Sequence, residues 1–288
     1  GSYGQFVVAD ARTMHAVALL KLPEADAREV GRRLLTEQVT EMDRLLAGEL
    51  LLPTGVRANG VLRESCRMLH AMAVNNLARA WEQRVEGDRA ENLRRSIELY
   101  EVCCELPARI AEPEKLLHSL HHLALGLRFL AREVADVTER GTLLRRSIDA
   151  AERALALQRL FPTTPFPMLE PLKLNRANTE VRWILQQAEA GALLPEVADI
   201  RLREHCERAL DWLASSPIRD REEGRVGAAF FARFLGPERN EDAEQGVVGA
   251  LCTLANTLFV AGLHHEMRFL TRDEAEILAE GRAEMADV

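Results

Sequence analysis

The chain has 288 residues, a formal net charge of −8 and only 5 % aromatic residues, with Ala, Leu, Arg and Glu prominent. An acidic balance argues against tracking a phosphate backbone, which needs a basic field. No run of about 18 apolar residues is available for a membrane-spanning helix, and so few aromatics suit helices packed through Leu and Ala better than a β-sandwich.

Residues 3–9 fit either a short extended lead-in or the start of a helix. No charged-then-apolar leader is visible, and the opening Gly1-Ser2 reads as an expression remnant. Helices are expected over 10–21 and 23–47. Pro23 is tolerated in a first turn and Glu24 and Asp26 suit the positive helix start, while Leu34, Leu35, Val39, Met42, Leu45 and Leu46 form an apolar face. Pro53, Gly55 and Gly60 break the pattern over 51–60, which sets residues 1–60 apart as an N-terminal helical cap and 61–288 as the main array.

The stretch His70–Pro107 reads as a complete helical hairpin. Met72, Val74, Leu77, Ala78, Trp81 and Val85 recur at three- and four-residue spacing; Gly87-Asp88 breaks the helix, and Asp88 can cap a second one over 90–105 with Leu93, Ile97, Tyr100 and Cys104 on its stripe. Glu112-Pro113 opens a helix over 114–136, followed by another over 141–160. Leu144-Arg145-Arg146-Ser147-Ile148-Asp149 repeats Leu93-Arg94-Arg95-Ser96-Ile97-Glu98 after 51 residues, with the extra residues assigned to a turn around Asp136–Arg140. The proline-rich break at 161–171 cannot be regular helix. Helices resume over 171–189, 196–214 and 220–235, and a final pair is expected over 242–263 and 272–285. An amphipathic pair cannot bury both apolar faces alone, so the pattern predicts an all-α chain of stacked antiparallel helix pairs.

The central hairpin resembles a tetratricopeptide repeat. The residues that carry the resemblance are Asn76-Leu77-Ala78, Trp81, Gly87-Asp88, Ser96, Tyr100, Cys103 and the closing Pro107. Its longer turn is similar to the longer bacterial repeats found beside caspase-like CHAT domains. Weaker copies use Leu123-Ala124, Leu127, Ser147, Ala151 and Ala154, then Asn178, Trp183, Cys206, Ala209 and Pro217, then Leu254-Ala255, Leu258 and Gly262. The resemblance is specific over about 40 residues, extends in weaker form over about 180, and is absent before residue 60. It implies a TPR-like α-solenoid whose first helices line a groove for a protein or peptide. The polar first-helix residues expected there are Asn75, Asn76 and Arg79, then His118, His122 and Arg128, then Asn175, Asn178 and Arg182. Asparagine can hold an extended backbone through both donor and acceptor, and arginine can clamp a carboxylate. The lysines of the family's carboxylate clamp are missing, which argues against recognition of a chain terminus.

No motif for chemistry stands out. His118 and His122 lie one turn apart, a spacing that can chelate zinc, but no metalloprotease or di-iron pattern accompanies them, and His264-His265-Glu266 is a weaker set. Groove-lining or packed histidines, no metal and no cofactor are therefore expected. Cys103-Cys104 adjoin no histidine base. The odd set Cys66, Cys103, Cys104, Cys206 and Cys252 suits buried reduced thiols in a cytoplasmic protein. The Arg94-Arg95 and Arg145-Arg146 pairs read as salt-bridged outer faces. The expected function is a non-catalytic protein- or peptide-binding scaffold, one that could regulate a separate effector such as a caspase-like protease, without nucleic acid or membrane. An all-α enzyme or small-ligand-binding protein with its site between repeats is the alternative, and the Phe230, Phe231 and Phe234 stripe leaves homo-oligomerisation open.

Overall fold

The computed structural model describes residues 2–22, 24–47, 60–84, 86–106, 110–232 and 234–235; for 2–9 and 60–62 it describes the backbone alone. The described residues form helices and no strands: α1 Ser2–Leu20, α2 Ala25–Ala47, α3 Gly60–Glu82, α4 Arg89–Glu105, α5 Pro113–Glu133, α6 Val137–Leu160, α7 Leu169–Glu189, α8 Pro195–Ser215 and α9 Glu222–Ala232. The helices expected over 242–263 and 272–285 lie outside the described residues.

Local chemistry explains the ends. The Asp88 side chain accepts a hydrogen bond from the Glu91 backbone N–H at 3.0 Å and caps α4, while Pro113 occupies the first position of α5, where a missing N–H costs nothing. Gly191, with φ +67, closes α7 in the left-handed conformation that glycine adopts most cheaply. The turn expected around Asp136–Arg140 is instead helical. Asp136 accepts from the Glu139 N–H at 2.7 Å, so α6 starts at Val137. The residues that lengthen the second copy therefore extend a helix of 24 residues, against 17 for α4.

The chain divides into two compact units. The first comprises residues up to Ala135 together with Arg146–Phe166; the second comprises Asp136–Arg145 and residues from Pro167 onward. In the first unit α1 packs on α2, and α3 packs on both; α4 packs on α3, and α5 packs on α4. Within the N-terminal helical cap expected over 1–60, α1 and α2 pack with α3 inside this unit. Fully buried Leu35, Leu93, Tyr100, Leu117 and Leu127 mark its core, each aliphatic side chain contributing roughly 1.5–3 kcal/mol by burial. Gly31 allows a close approach of α2 to α1: a Cβ there would lie 2.7 Å from the Ala16 carbonyl oxygen.

In the second unit α9 packs on both α8 and α7. Leu174, Val181 and Ile184 of α7 meet Leu202, Cys206 and Leu213 of α8, and Phe231 of α9 fills the same core. Phe231 is fully buried, and Phe230 and Phe234 are partly buried against that core, so the aromatic stripe is largely internal.

One device recurs in three successive hairpins. The Ala71 carbonyl accepts from Cys103 Sγ (3.7 Å), the Ala124 carbonyl from Ser147 Oγ (2.7 Å), and the Ala177 carbonyl lies 3.1 Å from His205 Nε2. These alanines are spaced by 53 residues each time, from 71 to 124 to 177. Each sits on the first helix of a pair, where a small side chain lets the second helix reach the backbone.

Candidate functional site

The polar residues expected to line a binding face are distributed over three helices. On α3, Asn75 and Asn76 are half-buried, and Arg79, in the last turn, is exposed. On α5, His118 and His122 are half-buried on a common stripe with Leu125. Arg128 is instead largely buried, its guanidinium 5.3 Å from the Phe129 ring centroid. Asn175, Asn178 and Arg182 share a half-buried stripe on α7 in the second unit, where Asn178 Oδ1 is buried without a hydrogen-bond partner and Arg182 lies over the Phe230 ring at 5.8 Å. The structure thus brings Asn75, Asn76, Arg79, His118 and His122 onto adjoining helices of one unit.

A buried polar layer supports this set. Tyr100, on α4, donates its hydroxyl to Glu82 Oε2 on α3 at 3.0 Å, and Glu82 is 5 % exposed. His122 Nδ1 lies 3.3 Å from the same oxygen, an ion-pair distance without hydrogen-bond geometry, and its ring stacks on Tyr100 with centroids 5.5 Å apart and planes 10° from parallel. One carboxylate oxygen therefore ties α3 to both α4 and α5. Beside it, Ser119 donates to Asn75 Oδ1 at 3.0 Å, linking α5 to α3, and lies 3.6 Å from Cys103 Sγ on α4.

The electrostatics follow from burial. The Tyr100 hydroxyl is held well above its usual range, first by desolvation and then by the neighbouring Glu82 charge, which keeps it a neutral donor. Burial, with added repulsion from His122, His118 and Arg128, pushes the His121 ring down to about 3, so it is a neutral packing group. His118 meets Phe166 edge-on, with centroids at 5.3 Å. Among the described residues no group of three or more His, Cys, Asp or Glu is placed to hold a metal ion. The expected His264-His265-Glu266 set lies outside them.

Trp81, the aromatic of the repeat pattern, is a rivet. Arg32 of α2, Arg84 after α3 and Arg95 of α4 place their guanidiniums 4.7, 5.1 and 4.7 Å from its ring. Arg95 also pairs with Glu91, and Arg146 with Glu101, in keeping with salt-bridged faces for the arginine pairs. Cys66, Cys103, Cys104 and Cys206 are buried free thiols, and burial pushes Cys206 up to about 12.

Sequence reasoning missed Glu82 and the role of Ser119. Glu82 lies four residues after buried Ala78 but also three after exposed Arg79, so spacing alone left its side of α3 undecided. Among the described residues no helix is long and apolar enough to cross a membrane. Comparison with protein-family models, with curated proteins and with solved structures finds no match.

Proposed function

We propose that this chain is a non-catalytic cytoplasmic scaffold, a TPR-like α-solenoid with an N-terminal helical cap, that binds a protein or peptide on the exposed stripes of its first helices. The observation that carries the reading is the recurrence of an alanine carbonyl, every 53 residues, accepting a side chain from the following helix. Together with the packing of α3 and α9 on both helices before them, it favours a stepwise stack over an irregular bundle. The surroundings of Cys103, a serine hydroxyl and a backbone carbonyl, offer no base for a nucleophile. The repeat variant extends the proposal to a separately made effector, such as a caspase-like protease. Affinity capture from the native host tests this: a stoichiometric partner supports it, and a chain that captures none but turns over a small molecule refutes it.

The buried Glu82–Tyr100–His122 group favours a second reading, an all-α enzyme or small-ligand-binding protein with its site between repeats. A small molecule that raises the Tm of the wild type but not of His122→Ala would support that reading; a screen in which no compound does so speaks against it.

A further inference from the structure

The third of the recurring alanine-carbonyl contacts differs in kind from the first two. Cys103 and Ser147 reach their carbonyls through a thiol and a hydroxyl, which gain no proton in mild acid, whereas His205 reaches Ala177 through an imidazole. A carbonyl only accepts, so the ring nitrogen 3.1 Å from it, Nε2, carries the hydrogen, and in the neutral ring Nδ1 is bare. Nδ1 stands 3.7 Å from Glu180 Oε1 of α7, two acceptors facing one another. Glu180 Oε2 is buried without a hydrogen-bond partner, with Arg176 3.3 Å away. The pair is a place for one proton.

Burial withholds that proton. His205 is 7 % exposed, and part of its cover is α9, whose fully buried Phe231 meets the ring edge-on with centroids 6.3 Å apart. Desolvation lowers the ring below the ordinary 6.5, and Arg208 of α8 and Arg176 of α7 add to the fall, against the opposing pull of Glu180 and the Ala177 carbonyl. The charged residues of α9, Glu222, Glu223 and Arg225, lie in its first four residues, at the far end from Phe231. With only 11 residues, α9 draws most of its stability from docking rather than from the helix itself.

We propose that the His205–Glu180 pair is a proton-binding site that works as an acid-sensitive latch on α9: proton uptake at His205 Nδ1 loosens the docking of α9 on α7 and α8. The proton comes from water, and no bond between heavy atoms changes. Docked α9 keeps water from the imidazolium, whereas an undocked α9 lets water reach it, so α9 and the proton compete. Above pH 6.5 the ring is neutral in both forms and α9 is held fully; below 6.5 the undocked form takes the proton first and the latch loosens. Opening uncovers the apolar core that Phe231 shares with Leu174 and Val181.

The test is hydrogen exchange of the full chain at about pH 7.5 and about pH 5, each amide referred to its intrinsic rate, alongside an NMR titration of the His205 ring assigned through its backbone. Protection of the α9 amides should fall at least about threefold in acid, and His205 should titrate below 6.5. His205→Gln keeps an N–H donor for the Ala177 carbonyl and binds no proton there, so its α9 protection should hold steady over the same window. Glu180→Gln should move the fall to lower pH, since the proton loses its anionic partner. A His205 that titrates at or above 6.5, wild-type α9 protection independent of pH, or an equal fall in His205→Gln would overturn the latch. Should His205→Gln fail to fold, the wild-type titration and Glu180→Gln decide, and a fall that Glu180→Gln leaves unmoved overturns it.

Discussion

Replacing Tyr100 with phenylalanine removes one oxygen atom and isolates the bond that ties α4 to α3. The hydroxyl donates to Glu82 Oε2 at 3.0 Å, and Tyr100 and Glu82 are 0 and 5 % exposed, so water does not substitute freely for the lost donor. A hydrogen bond to a charged group contributes about 1.5–3 kcal/mol net, and that is the expected loss of stability. The ring remains to stack on His122 at 5.5 Å, so Tyr100→Phe should be milder than Tyr100→Ala, for which deletion of a buried ring costs about 3–5 kcal/mol. Urea denaturation followed by far-UV circular dichroism measures the total, and hydrogen exchange of the α3 and α4 amides localises it to the first unit. A cycle with Glu82→Ala should return a coupling of roughly 1–3 kcal/mol. If Tyr100→Phe costs less than about 0.5 kcal/mol and shows no coupling to Glu82, the inter-helix tie described above is not what holds this layer.

Acid should weaken the fold through its buried histidines. The His121 ring falls from an ordinary 6.5 to about 3 because burial disfavours its charged form, and burial lowers His70 and His205 as well. The unfolded chain then binds more protons, so the stability from a neutral His121 is full above 6.5 and is lost as pH falls from 6.5 toward 3. His121→Leu should flatten the fall of the urea midpoint over that window, and an unchanged slope would rule His121 out as its source. Gly31→Ala should destabilise by about 1–3 kcal/mol through collision with the Ala16 carbonyl. Gly191→Ala meets nothing within 4 Å and should cost about 1 kcal/mol from its φ of +67 alone; thermal unfolding of both variants separates the two causes. Maleimide labelling of Cys66, Cys103, Cys104 and Cys206 should be slow in the native state and fast in urea, and rapid native labelling at any of these positions, located by mass spectrometry, would contradict its burial.

Helix existence was legible because period and punctuation are local properties. The apolar stripe of α4, the Asp88 cap, Pro113 at the start of α5 and the glycine after α7 follow from residues within a turn of one another. The short match between Leu93–Glu98 and Leu144–Asp149 also pointed to duplicated hairpins. The start of α6 was less clear, because Asp136 and Arg140 suit a turn and a capped helix equally until the Glu139 N–H finds its acceptor. Periodicity also sorts residues by the face they occupy without saying what stands opposite. Arg79 and Glu82 lie three residues apart on α3, yet one is exposed and the other is enclosed by Tyr100 and His122, and Arg128 of α5 is covered while His118 and His122 are not. Sequence alone determined which segments coil and which side of each is apolar, since those depend on neighbours along the chain. Only the tertiary structure decided which polar groups are spent holding helices together and which stay exposed, because a side chain's desolvation depends on helices far away in sequence.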